Sequence, residues 1–428
     1  MTELKVSWGR GLPTESADRD RGAVRTAALL LIVLTAGAYL PSPLYPDYQR
    51  LFGYGDLTMT LLFATFALVS GPALLLCGPA ADTLGPRPLL RLSVLLAAAG
   101  SACFLLADSP ALLFAGRVGQ ALALGAATGA AQALIVWHRS TAARIGGPLL
   151  VSLAFAGGTA LGPAVSGALA RYVSGPLVTP FILHLALLAW VWTRLGRAVP
   201  PTATGPGTRR PRLARPRIPA ALRPLFLVAG FNGFLAWAVV GIYLALVPAL
   251  LERSLHSNNP ALSGGVLAAV LGWSLIAQLA AARWSTWTTQ RVGVAALTVS
   301  LLLLAVTGAT SLPATIGSAL LAGAGHGLAF SGATGAVDAR TPVGHRGGVG
   351  SALHLLFYLG SGTPAVAVGL MTACMPLTAA VTTLSWTAAA LGTLALALTY
   401  GLISRERRAI RPDCPLGTPA PANSVACP

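Results

Sequence analysis

Few residues of this chain can carry acid–base chemistry in apolar surroundings, and their positions limit what that chemistry can be. All twelve acidic residues fall in tails, loops or the ends of apolar runs, with Asp47, Asp56, Asp82, Glu252 and Asp338 nearest those runs. Arg117 follows Ser109 by eight residues within an apolar run, which on a helix is roughly 12 Å of depth. An arginine that deep in lipid must face a cavity or a partner. His184, His326 and His354 also lie within apolar runs. A side chain that takes up and releases a proton within apolar surroundings can couple another process to a proton gradient, and a buried acid or a histidine tuned by its surroundings serves best. The coupling candidates are therefore Arg117, Asp47, Asp338, His326 and His354, with His184 beside them. For each histidine taken singly, a hydrogen bond to a neighbouring helix is the plain structural alternative.

Other chemistries find no footing. Five cysteines, Cys77, Cys103, Cys374, Cys414 and Cys427, are too few and scattered for a disulfide framework or a zinc site. No His/Asp/Glu metal cluster or nucleophile–base pair falls in the apolar runs, which disfavours a membrane-embedded enzyme. The sole lysine is Lys5 and no phosphate-binding G-x-x-x-x-G-K-[ST] occurs, so ATP drive by this chain is excluded. No metal and no cofactor is expected.

The elements that must position these residues are set by composition. Of 428 residues, 55% are hydrophobic and 10% charged, whereas a soluble domain carries roughly 25% charged residues. Apolar runs such as Ala27 to Leu40, Leu89 to Ala107 and Leu297 to Thr307 do not alternate, so helices rather than the strands of a barrel are expected. The predicted spans are 24–44, 57–79, 88–107, 110–136, 147–170, 177–195, 224–250, 262–282, 292–309, 313–337, 349–372 and 377–402. The first is read as a retained helix, not a cleaved signal.

The net charge of +17 would fit nucleic acid by number alone. Placement argues otherwise: 25 of the 29 basic residues lie in the tails and alternate loops, three (Arg50, Arg171, Arg253) in the opposite loops, and Arg117 in a span. That is the positive-inside pattern, which puts both termini in the cytoplasm. With 28 Arg against one Lys and abundant Ala and Gly, a bacterial inner membrane is the expected location. The lipid bilayer is the expected partner, nucleic acid is not, and the chain is expected to be a monomer.

The sequence divides into a tail 1–23, a six-helix bundle 24–195, a basic linker 196–223, a second six-helix bundle 224–402 and a tail 403–428. The linker's prolines and like charges, from Pro200 to Arg217, cannot hold a packed fold. A faint repeat supports two related halves: Tyr39-Leu40 recurs as Tyr243-Leu244, and Thr128-Gly129-Ala130 as Thr334-Gly335-Ala336. The same offset aligns Gln120 with His326. The expected fold is all-α, with twelve membrane helices in two pseudo-symmetric bundles and substrate bound at the midplane between them. Side chains available to line that cavity are Tyr39, Gln120, Asn232, Trp237, Gln278 and Tyr358, with Phe63 and Trp273.

Four segments carry a resemblance. After the second span the chain reads Gly78-Pro-Ala-Ala-Asp82-Thr-Leu-Gly85-Pro-Arg87-Pro-Leu-Leu90. This resembles the G-x-L-A-D-R-x-G-R-K-x-x-L loop of the major facilitator superfamily, with Thr83 and Pro86 in place of two basic residues. Gly116-Arg117-Val-Gly-Gln120-Ala121 is similar to the family's R-x-x-Q-G in helix 4, with Ala121 for the second glycine. Gly158 to Gly167 is similar to G-x-x-x-G-P-x-x-G-G, which marks antiporter branches, with Ser166 for one glycine. Tyr39-Leu40-Pro41-Ser-Pro43-Leu-Tyr45-Pro46 is similar to the Y-L-P-x-x-P segment of twelve-spanner drug:proton antiporters, although the stretch Leu34 to Ala38 lacks the acid many of those relatives carry.

The resemblance implies a latch at Gly78, Asp82, Gly85 and Arg87, and a gate at Gly158, Gly162, Pro163 and Gly167, where Pro163 bends the helix. It implies a secondary active transporter that exports a small organic molecule by proton antiport through alternating access. A cavity with Arg117 and no acid favours a neutral or anionic substrate. The alternatives are a nutrient importer or facilitator on the same fold and, from another class, a membrane enzyme or sensor.

Overall fold

A computed structural model describes residues 13–138, 146–199, 218–255, 259–308, 311–342 and 345–410. Every backbone polar group in lipid must find its partner within the protein, and the chain meets this with helices: no strand occurs among the described residues. The helices are α1 (Pro13–Tyr39), α2 (Tyr45–Phe52), α3 (Asp56–Leu84), α4 (Pro86–Leu105), α5 (Pro110–His138), α6 (Gly147–Tyr172), α7 (Thr179–Ala198), α8 (Arg223–Leu255), α9 (Pro260–Ala280), α10 (Thr286–Thr307), α11 (Leu312–Arg340), α12 (Arg346–Met371) and α13 (Leu377–Ile410). All but α2 have 20 residues or more, and 10 of the long ones are apolar enough to cross a bilayer on composition alone. The other two, α7 and α11, carry His184 with Arg194 and a run of glycines with His326 respectively, which dilutes their hydropathy.

Turn chemistry sets the boundaries. Proline stands in the first turn of α4, α6, α7, α9 and α11, where its missing N–H costs nothing. The Asn259 side chain caps α9 by accepting from the amides of Ala261 and Leu262, and Ser285 caps α10 through the Thr288 amide. Gly85, at φ 77°, makes the reversal from α3 to α4, a conformation that costs other residues roughly 1–2 kcal/mol. The first predicted span, 24–44, ends early: α1 stops at Tyr39, and Pro41, Pro43 and Pro46 turn the chain into the unforeseen short helix α2.

The described residues hold twelve long helices, and twelve successive passes put the start of α1 and the end of α13 on one face, the terminal face. Helices α1 and α3–α7 form one bundle and α8–α13 the other. Contacts repeat between them: α1 packs on α5, α6 and α7 as α8 packs on α11, α12 and α13, and α4 lies on α5 and α7 as α10 lies on α11 and α13. The bundles meet along two seams, α6 with α9 and α3 with α12. Those pairs also exchange under the same symmetry. Tyr39 and Tyr243, paired by the repeat, are both fully buried. The outer surface inverts the soluble rule, exposing Leu76, Leu95, Ile182, Leu227, Val299 and Leu394 to lipid.

Candidate functional site

Two polar clusters lie inside this apolar frame. The first begins at the end of α1. In a continuing helix the Gly37 carbonyl would accept from residue 41, but Pro41 has no N–H, and the last carbonyls of α1 are orphans. Arg117 and Gln120, one turn apart on α5, take them. Arg117 Nη1 donates to Ala38 O at 2.6 Å and to Gln120 Oε1 at 2.9 Å, Nε donates to Leu62 O of α3 at 3.2 Å, and Gln120 Nε2 donates to Gly37 O at 3.0 Å. The guanidinium lies 4.6 Å from the centre of the Phe66 ring, which meets Tyr39 edge-on. Arg117 is fully buried, and its Nη2 has no hydrogen-bond partner. No ion pair to Arg117 occurs among the described residues. The cation is held by backbone dipoles and a π face, which leaves its charge uncompensated. Two segments remote in sequence, the proline-broken end of α1 and the Arg-x-x-Gln of α5, thus form one lock.

The second cluster lies at the seam. Ser152 of α6 donates to Gln278 Oε1 of α9 at 2.6 Å, Gln278 Nε2 donates to Ser274 at 3.3 Å, and Ser274 Oγ lies 2.9 Å from His326 Nδ1 on α11. This chain joins the two bundles. Around it stand aromatic rings: Trp237 is 4.9 Å from His326 and perpendicular to it, 6.2 Å from Phe155 of the other bundle, 6.1 Å from Phe330 and 6.5 Å from Tyr358. Tyr358 in turn faces Gly71 of α3 across the other seam. His326 Nε2 and Trp237 Nε1 are buried with no hydrogen-bond partner.

The remaining predicted residues separate by place. His184 is engaged at both ring nitrogens, by Ser101 at 2.7 Å and the Val33 carbonyl at 3.1 Å, and Gly37 leaves room for its ring. It ties α4, α7 and α1 together. Asn232 lies inside the second bundle, donating to Gln290 at 2.8 Å and Thr399 at 3.0 Å. Trp273 points outward, 42% exposed, while Phe63 is buried. His354 bonds the Gly350 carbonyl on its own helix at 2.9 Å and packs on Phe330 and Phe357. Asp338, exposed near the end of α11, interacts electrostatically with His354. Arg87 donates to the Gly196 carbonyl at 3.1 Å, tying α4 to α7. Gly78 and Asp82 fall in the last turns of α3, and their side-chain surroundings lie outside the described residues.

The glycines of α6 wedge it between the bundles. A Cβ on Gly158 would overlap Thr35 Oγ1 and the Ile32 carbonyl of α1, and one on Gly162 the Ala36 carbonyl. On the opposite side Gly167 meets Gly264 and Pro260 of α9, and Gly264 has no room for a Cβ against the Pro163 carbonyl. Pro163 interrupts the ladder within α6. Asp47 is held by Arg50, which also pairs with Glu252 of α8, so that an ion pair crosses between the bundles on the face away from the termini. Beside it only a crevice of about 10 Å³ remains, lined by Pro43, Pro46, Pro248 and Pro260.

Ser152, Ser274, Phe155, Phe330 and the Arg50–Glu252 pair were not singled out from sequence. Their partners sit on helices far apart in the chain, 126 residues for Ser152 and Gln278 and 202 for Arg50 and Glu252. Spacing holds no trace of such pairs. Among the described residues no group of three or more His, Cys, Asp or Glu side chains could hold a metal ion.

Comparison with known proteins places the frame. No curated protein sequence matches the chain. The human organic anion transporter MFSD10 (TETRAN) is similar in structure, with a TM-score of 0.69 at 19% identity over 89% of this chain and 99% of that one. A bacterial homolog of the human lysosomal transporter Spinster, solved inward-facing and unoccupied, has a TM-score of 0.68 at 16% identity over 94% and 100% of the two chains. A POT family transporter in complex with 5-aminolevulinic acid has a TM-score of 0.69 at 13% identity over 94% and 98%. At those identities the likeness is one of fold. The family model described as Major Facilitator Superfamily matches residues 27–365, most of the chain. The protein is a multi-pass membrane transporter and belongs to the Major Facilitator Superfamily.

Proposed function

We propose that the protein exports a small organic molecule, neutral or anionic, in exchange for protons by alternating access. The observation that carries this reading is the α6 wedge. The segment Gly158 to Gly167, similar to the motif of antiporter branches, packs without space for a Cβ against α1 of its own bundle and α9 of the other. A helix so placed, with its hydrogen-bond ladder interrupted at Pro163, must shift whenever the bundles rock. Arg117 bears on the substrate's charge: a buried cation without a carboxylate raises the interior potential and repels a cationic solute. Bundles 24–195 and 224–402, joined by the basic segment 196–223, are the moving bodies. The arginine bias supports a reading with the tails 1–23 and 403–428 and the terminal face in the cytoplasm, and we take the protein to be a monomer of a bacterial inner membrane. The latch residues Gly78, Asp82, Gly85 and Arg87 then lie on the cytoplasmic side. Arg117, Asp47, Asp338, His326 and His354 are the candidates to couple proton movement.

Efflux from cells tests this. Cells expressing the protein should retain less of neutral and anionic antibiotics or dyes than vector controls, and a protonophore should erase the difference. Robust, protonophore-sensitive export of ethidium-type cations would contradict the substrate reading, and faster substrate accumulation in expressing cells would contradict the direction.

A further inference from the structure

The aromatic cluster at the seam holds two ring nitrogens, Trp237 Nε1 and His326 Nε2, with no hydrogen-bond partner among the described residues. Gln278 Nε2 donates to Ser274 Oγ, and among the described residues the Ser274 hydroxyl has no other acceptor than His326 Nδ1 at 2.9 Å. Its hydrogen therefore goes to Nδ1, which makes Nδ1 the acceptor and puts the imidazole proton on Nε2. Nε2–H and the indole Nε1–H of Trp237 are then both donors, both buried and both unpaired. The two rings stand 4.9 Å apart at 90°. Leaving a buried donor unpaired is costly, and native interiors carry few. Two on touching rings is a departure that an acceptor would remove.

The surroundings narrow that acceptor's identity. Phe155, Phe330 and Tyr358 stand around the Trp237 ring, and Phe155 alone of these comes from the first bundle. Flat apolar walls fit a planar aromatic body. No ion pair reaches either ring among the described residues, so an ammonium group would gain no carboxylate partner there. With Trp237 and His326 only 5% exposed, a ligand enters when the bundles part and Phe155 withdraws from Trp237.

We infer that Trp237 and His326 form the substrate's anchoring point, and that the transported class is planar aromatic molecules carrying a carbonyl or carboxylate oxygen, held by Nε1–H and Nε2–H together. The inference rests on the exporter reading above for its biological meaning. Its own test reads binding alone, which depends on neither direction nor proton coupling.

Three matched probes separate the possibilities: 2-naphthoate, 2-acetylnaphthalene and 2-naphthylmethylammonium. Equilibrium binding is measured on the full chain in lipid nanodiscs. Wild type should bind the first two and bind the ammonium compound at least tenfold more weakly. Trp237→Phe keeps an aromatic ring and removes only the N–H. It should weaken both acceptor probes about tenfold, the scale of one lost hydrogen bond to a buried donor. His326→Phe should do the same, and His326→Gln, which keeps an N–H donor, should recover most of the loss. Far from the cluster, Trp190→Phe on the lipid-facing surface should change nothing. No binding of either acceptor probe by wild type would overturn the inference. So would equal binding of all three, or unaltered affinity in Trp237→Phe. If binding follows the prediction while cells show no efflux, the exporter reading fails and the anchoring site stands.

Discussion

A guanidinium buried without a carboxylate loses its hydration and gains no ion pair, so it persists only where other groups supply negative potential. For Arg117 that potential comes from carbonyls that Pro41 and the end of α1 leave free, and from the Phe66 ring. The arrangement needs the planar fork of arginine, because one ammonium cannot reach Ala38, Gln120 and Leu62 from a single stem. Arg117→Lys should therefore lower transport more than tenfold, and Arg117→Ala should also cost about 2–4 kcal/mol of stability through the polar groups it strands. Flux in reconstituted vesicles and thermal unfolding in detergent check the two effects. Pro41→Ala, which returns an N–H to the end of α1, should produce a milder form of the same defect. Equal flux in Arg117→Lys and wild type would show that charge alone matters. Arg117 was legible in the sequence because an ionised side chain among apolar neighbours stands out. Its partners were not, since a backbone carbonyl released by a proline has no signature of its own at positions 37 and 38.

Among the elements, α6 carries the most constraint. Its small residues point two ways, toward α1 at Gly158 and Gly162 and toward α9 at Gly167, which is what a helix shared by two bodies requires. Gly162→Val should force α1 off α6 and abolish flux while leaving membrane insertion intact. Gly157→Ala on the same helix, where nothing lies within 4 Å of the added carbon, should leave flux unchanged. Comparable losses in both variants would mean that α6 tolerates no substitution for reasons other than its seam. Most of the helical plan was readable from apolar runs and their Gly and Pro punctuation, with most long-helix boundaries shifted by a few residues and the start of α1, at Pro13 against the predicted 24, by eleven. The exceptions have physical causes. Helix α2, Tyr45–Phe52, is short and polar, so hydropathy passes over it. Helix α13 runs on to Ile410 because helical hydrogen bonding continues after the apolar run stops. His184 illustrates a different gap: its sequence context matches that of His326, yet both its nitrogens are satisfied and one of those of His326 is not. Only the packing of three helices separates a structural histidine from an available one.

For the whole molecule, the account turns on two bundles that meet at the α6–α9 and α3–α12 seams and part at one face at a time. On the face away from the termini, the close packing of Gly167 on Gly264 and Pro260 is joined by a charged contact. Arg50 bridges Asp47 and Glu252 in a partly exposed ion pair, an interaction worth about 0–1 kcal/mol, and prolines from both bundles line the crevice beside it. An ion pair of that strength adds to the closure of the face without locking it. The most direct test places cysteines at Arg50 and Glu252, in a chain whose five native cysteines have been replaced, and joins them with a short reducible bifunctional reagent. Substrate flux in proteoliposomes is then followed before linking, after linking and after reduction. Rocking bundles predict flux that disappears when the two residues are joined and returns when the link is cut. Full flux through the linked protein would contradict the account.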